Sequence, residues 1–144
     1  QVDKARIAIG SGKLFGKGLY EGIQTQAESG GVPIKESDFI FTVVGEELGF
    51  IGALVMIILI YFILMRCLYI AKNSRDKFGS FLVAGVTAMF AFHFIENIGM
   101  CVGVLPVTGI PLPFVSYAGT AMITNYVALG IVLSVSMRRK RTLF

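Results

Sequence analysis

Residues 48 to 71 read LGFIGALVMIILIYFILMRCLYIA, an apolar run whose only charge, Arg66, lies near one end. A helix of about 20 residues crosses the roughly 30 Å hydrocarbon core of a bilayer. A long arginine side chain near a helix end reaches the interface, so this run is predicted to span a membrane. Residues 79–105 and 117–137 are long and apolar enough to do the same. The former holds His93, Glu96 and Asn97 and the latter Thr124 and Asn125, so each is expected to turn one side towards protein. The reading is an all-α polytopic membrane protein: a segment 1–47, then transmembrane helices at about 48–71, 79–105 and 117–137 within residues 48–144, and a basic tail.

Composition agrees. Of 144 residues, 55% are hydrophobic and 15% charged, with a mean hydropathy of +0.76, whereas a soluble domain is about a quarter charged. That excludes a water-soluble globular domain and a disordered tail. A net charge of +4 is too small and too unevenly placed for a nucleic-acid groove. No targeting peptide is visible after Gln1, and three helices rarely enclose an active site. The chain is read as a fragment, with further sequence expected upstream.

Orientation follows from Lys and Arg in short loops. Lys72, Arg75 and Lys77 separate the first two helices, and Arg138-Arg139-Lys140-Arg141 follows the third; both are predicted to be cytoplasmic. The first 47 residues hold five basic and seven acidic residues, and 106–116 hold no charge; both are predicted to lie outside.

Cys67 and Cys101 sit near opposite membrane faces, about 30 Å apart at 1.5 Å per residue, so no disulfide is expected. A single histidine, His93, offers no zinc pattern. The run IAIGSGKLFGKGLYEG, with five glycines in sixteen residues, lacks the Ser or Thr that follows Gly-Lys in a phosphate loop. It is read as a compact loop on the membrane surface. LPVTGIPLPFVSYAG holds three of the four prolines and is predicted to be non-helical and re-entrant, beside a cavity. Gly99 and Gly103 form a small-xxx-small pair expected to allow close helix contact.

Carboxylates crowd one membrane boundary in Lys35-Glu36-Ser37-Asp38-Phe39 and Gly45-Glu46-Glu47-Leu48. Burial and like-charge neighbours there can raise a carboxyl towards a working base, which makes Asp38 a candidate. Equally, Ser37 or Asp38 can cap a helix beginning near Phe39. Glu46 and Glu47 can mark the interface or orient the loop through Lys35 or Arg6. On the second helix His93 and Glu96 share a face. Glu96 lies about 26 Å along it, level with Asp38, as a site residue or a satisfied bundle residue.

Four runs, Glu36-Ser37-Asp38-Phe39-Ile40-Phe41, Gly45-Glu46-Glu47-Leu48-Gly49-Phe50-Ile51-Gly52, Asn97-Ile98-Gly99-Met100 and Leu105 through Tyr117 (LPVTGIPLPFVSY), together resemble the C-terminal part of the SEDS family, which comprises RodA, FtsW and SpoVE. The resemblance covers Gln1 to about Arg138. It implies a parent of roughly ten transmembrane helices, of which this is the last large extracytoplasmic loop and the last three helices. It implies a peptidoglycan glycosyltransferase of the bacterial plasma membrane, serving cell elongation or division, that polymerises glycan strands from lipid II by inverting transfer. Asp38 would be the general base, with Lys35, Glu36, Ser37, Glu96, Pro111 and Ser116 binding substrate. Leaving-group charge would be relieved by basic side chains such as Lys35 and Lys13 or by a divalent cation (Mg or Mn), although no metal site is assembled here. The implied partners are lipid II, undecaprenyl-linked glycan and a class B penicillin-binding protein whose membrane helix packs on the first two helices.

Three departures carry expectations. Ser29-Gly30-Gly31-Val32-Pro33 is polar where the family has a bulky apolar residue before the proline. Ser116-Tyr117-Ala118-Gly119-Thr120-Ala121 stands for SYGGSS, and an alanine barred from glycine-only angles predicts an altered cavity mouth. Without an N-terminal half, the fragment alone is expected to be inactive. IAIGSG and NIGM lean towards the elongation branch. Two rival readings remain: a lipid II flippase lined by Glu96 and the proline loop, and a non-catalytic scaffold in which Asp38 caps a helix.

Overall fold

A computed structural model of the chain describes residues 2–18 and 38–138. Among the described residues five helices run in order: α1 (Val2–Ser11), α2 (Ile40–Glu47), α3 (Gly49–Lys72), α4 (Lys77–Val102) and α5 (Gly119–Met137). Among the described residues there is no strand. Helices α3, α4 and α5 are each long and apolar enough to cross a membrane.

Their exposure pattern suits lipid. On α3 the buried positions Ala53, Ile60 and Cys67 recur every seven residues, a narrow stripe facing its neighbours. Large apolar side chains such as Leu54, Leu59, Phe62 and Met65 lie exposed between them. On α4 the buried stripe runs Gly79, Val83, Thr87, Phe90, Phe94, Asn97 and Cys101, spaced three and four as a helix face requires. Lipid tails are as apolar as leucine, so such helices associate by close packing more than by escape from water. Three apolar clusters do this along the bundle. Cys67, Ile70, Ala71, Val83 and Val132 pack at the Arg138 end. Ile60, Phe90, Phe94, Leu112 and Ala128 fill the middle. Ala5, Ala8, Phe39, Phe41, Ala53, Met100 and Cys101 close the Asp38 end.

The described residues of the expected loop 1–47 include the helices α1 and α2. α1 buries only Ala5 and Ala8, against Phe39, Phe41 and Met100. Its register is further held by Arg6, whose Nε donates to the Val102 carbonyl at 2.8 Å, one of the orphan acceptors at the C-terminus of α4. The glycine-rich run after α1 wraps the corner between α2 and α3. Phe50 and Ile51 at the start of α3 donate their N–H groups to the carbonyls of Lys13 and Leu14, while Lys17 and Gly18 donate to those of Glu46 and Glu47 at the end of α2. Backbone thus caps both helices. Gly49 enters α3 at φ +67 with its open side against the Gly16 backbone, where a Cβ would add left-handed strain to a collision.

The helix ends differ from expectation for local reasons. α4 stops at Val102, short of Leu105, because Gly103 turns left-handed and the N–H groups of Val104 and Leu105 fold back onto the Gly99 carbonyl. The Gly99–Gly103 pair therefore serves the turn: Gly99 makes room for the Leu105 side chain and Gly103 for Arg6 and Val2. α5 starts at Gly119 after an extended Ala118 (φ −145, ψ 98). Any residue adopts that conformation, so alanine in place of glycine needs no forbidden angle.

The proline segment does re-enter the bundle. Leu112 and Pro113 are buried, Leu112 packing in the middle cluster. Phe114, at φ 65, sets its ring edge-on to Phe90 (centroids 5.2 Å apart) and to Tyr126 (5.9 Å). Phe90 lies about 18 Å from the Val102 end of α4 at 1.5 Å per residue. Irregular backbone at such depth needs internal partners. Ser116 supplies one, its Oγ accepting from the Leu112 N–H at 2.8 Å while its own N–H donates to the Leu112 carbonyl at 3.0 Å.

Candidate active site

Asp38 stands half-buried just before α2. The cap position itself falls to Phe39, which makes no side-chain cap hydrogen bond. Phe39 is driven into the apolar cluster beside Met100 and Cys101, which anchors the Asp38 backbone on α4. The direct tether is Asn97. Its Nδ2 donates to the Asp38 carbonyl at 2.9 Å and to the Ile110 carbonyl at 2.7 Å. Asn97 is wholly buried, and a side-chain amide has two N–H donors, both used here on backbone of two separate segments. Cys101 Sγ lies 4.0 Å from both the Asp38 carbonyl and Asn97 Oδ1.

The proline loop then crosses the aspartate. A Cβ on Gly109 would stand 3.5 Å from Asp38 Oδ2, and Gly109 has φ +69, so a bare, left-handed backbone borders the carboxylate. Pro111 is half-buried two residues along, and Ser116 is buried beneath it with its hydroxyl engaged on Leu112. Glu96 is buried at 7% exposure and makes no hydrogen bond or ion pair among the described residues. It sits next to Asn97 and so at the level of Asp38, as expected, but about 100° away around the helix. Lys35, Glu36 and Ser37 lie outside the described residues, as do Ser29 to Pro33 and the basic tail from Arg139 onward.

Glu46, fully buried, pairs with Lys17 at 3.0 Å and lies 3.5 Å from the Ser11 hydroxyl. The pair ties the glycine-rich loop to α2; of the two cations expected to orient this loop, Arg6 bonds the Val102 carbonyl and Lys35 lies outside the described residues. Beside it an apolar groove of about 360 Å³ runs between Ile9, Phe41, Ala53, Leu54 and Val102, with Lys13 on its rim. A second, of about 640 Å³, opens along α3 and α4 between Ile57, Tyr61, Ala91 and Ile98. Among the described residues no three His, Cys, Asp or Glu side chains group to hold a metal ion.

Sequence reasoning did not assign Asn97 a role. Its partners are carbonyls distant in sequence, and the only available signal was a polar amide on the buried face of a membrane helix.

The helical membrane bundle matches known proteins in sequence and in fold. The family model described as a cell cycle protein, covering FtsW, RodA and SpoVE, matches residues 1–141, and the chain belongs to this family. It is 43% identical over 139 residues to the peptidoglycan glycosyltransferase MrdB of Escherichia coli K12, covering 96% of this chain and 37% of that protein. It is 40% identical over 137 residues to the probable peptidoglycan glycosyltransferase FtsW of Bacillus subtilis, covering 95% and 33%. Among solved structures, a peptidoglycan synthase complex described as coordinating polymerization and crosslinking contains a chain that superposes with a TM-score of 0.77 at 27% identity, covering 96% of this chain and 38% of that one. The chain thus spans a little over a third of the relatives it matches.

Proposed function

We propose that the full-length parent of this chain is a peptidoglycan glycan-strand polymerase of the bacterial plasma membrane, acting on lipid II in elongation or division, with the Asp38 end outside and the C-terminus in the cytoplasm. The observation that carries this is Asp38 itself. It lies in the run Glu36 to Phe41 that carries the family resemblance, at one end of a membrane bundle, with a side-chain-free backbone beside its carboxylate, in a chain 43% identical to a named peptidoglycan glycosyltransferase.

In this mechanism Asp38 accepts the proton of the 4-hydroxyl of the acceptor N-acetylglucosamine. The oxygen attacks the anomeric carbon of the N-acetylmuramic acid at the reducing end of the growing strand, with inversion. The bond to undecaprenyl pyrophosphate breaks, and the pyrophosphate leaves with the electron pair. A general base within hydrogen-bond reach of the hydroxyl contributes typically about 10²–10⁴-fold. Holding both lipids at one bilayer depth supplies proximity, and the apolar groove under Lys13 suits a polyprenyl tail. Lys13, with Lys35, is the cation this segment offers to the departing charge. A divalent cation (Mg or Mn) bound in the full-length parent would relieve the same charge. The membrane helix of a class B penicillin-binding protein packs on α3 and α4, where the larger apolar groove runs. This segment alone is inactive.

The test is lipid II supplied to the purified full-length parent with its class B partner in vesicles. Glycan strands are expected. Lipid II carried across the vesicle wall with no strand made would instead support a flippase.

A further inference from the structure

We propose that Asn97 is a positioning residue for Asp38: one buried amide clamps the aspartate's backbone to the proline loop and so sets the gap in which the acceptor hydroxyl meets the carboxylate. This rests on the reading of Asp38 as the base.

The geometry is specific. Asn97 projects from the buried stripe of α4, between Phe94 and Cys101, so its amide is fixed by the most extensively packed helix of the bundle. Both of its N–H groups are spent, one on the Asp38 carbonyl at 2.9 Å and one on that of Ile110 at 2.7 Å. No other side chain of similar size can do this. Aspartate turns oxygens onto two carbonyl oxygens, leucine has no donor, and serine has one. Gly109 immediately precedes Ile110, so drawing the Ile110 carbonyl to Asn97 places Gly109 beside the Asp38 carboxylate, where an added Cβ would stand 3.5 Å from Oδ2. The amide has no exposed surface. It acts through the two segments it joins.

The experiment uses the full-length parent with its class B partner and compares native protein with Asn97→Asp and Asn97→Ala at equal folded abundance. It reads kcat and KM for lipid II and the backbone amide exchange of residues 38–42 and 105–112. A misplacement of 1 Å at a reacting group costs about 100-fold, so kcat is expected to fall by about that factor while KM for lipid II stays within about twofold. Exchange should quicken in both segments together and stay unchanged across the middle of α3. Native kcat, unchanged exchange in either segment, or a rise in KM as large as the fall in kcat would overturn the assignment. So would loss of folded protein in both variants, which would make Asn97 a residue of folding. An Asp38→Asn control separates the two claims. If it still polymerises lipid II, the base reading fails by itself; if it is inactive while Asn97→Asp keeps native kcat, the positioning role fails by itself.

Discussion

Gly109 lies against Asp38 so closely that a methyl group on it would meet the carboxylate Oδ2 at 3.5 Å. That distance is ordinary van der Waals contact, but it would occupy the space beside the oxygen that the proposed chemistry uses. Gly109 also sits at φ +69, where an L-residue is strained by about 1–2 kcal/mol. Gly109→Ala is therefore expected to depress strand synthesis by the parent enzyme at least about tenfold, since displacing a reacting group by 1 Å costs about 100-fold, while membrane yield is retained. Synthesis at the native rate would show that the space beside Oδ2 is not used.

The Lys17–Glu46 pair makes a different prediction, about stability. Glu46 has no exposed surface and Lys17 is about a quarter exposed. Removing one partner of a fully buried pair costs about 3–5 kcal/mol, and a smaller loss is expected here because Lys17 is partly exposed and Glu46 keeps other contacts. Lys17→Met should lower the thermal unfolding midpoint in detergent clearly, and adding Glu46→Gln should recover part of the loss. A double variant no better than the single one would mean that Glu46 is held by its other contacts.

Ser116, expected to bind substrate, also has a structural contact: its hydroxyl oxygen accepts from the Leu112 N–H at 2.8 Å, which leaves its own O–H to donate. Leaving that buried N–H unpaired costs about 1–3 kcal/mol. Ser116→Ala should therefore reduce thermal stability by an amount in that range. An unchanged midpoint with a raised KM for lipid II would assign the hydroxyl to substrate and not to the loop.

At the α2–α3 corner, Gly49 at φ +67 faces the Gly16 backbone. Gly49→Ala should reduce the folded yield of the parent by more than left-handed strain alone, about 1–2 kcal/mol, because backbone must also move. Gly130→Ala, on the open side of α5 with nothing near its Cβ position, is the matched control and should be tolerated.

How far all this could be read in advance depends on how local the cause is. The three long helices are legible because a bilayer demands one unbroken apolar length, and 48–71 supplies it without help from any other segment. α1 is not. VDKARIAIGS carries three charges in its first five residues, and its helix is held by tertiary packing of Ala5 and Ala8 and by Arg6 on α4, which local pattern does not report. The stop at Gly103 hides inside an apolar stretch that continues past it. Asp38 read locally is as good a cap as a base, and only its surrounding motifs separate the two. Asn97 is the least legible, since its function lies in carbonyls that come from segments on either side of it and far along the chain.

The most direct test of the central claim is lipid II polymerisation by the full-length parent with its class B partner, comparing native protein with Asp38→Asn at equal folded abundance. Glycan strands from the native form alone are predicted, because asparagine keeps the shape of the side chain and cannot take the proton. Strands from both forms at similar rates would contradict the account and move the search for the base to Glu46, Glu47 and Glu96.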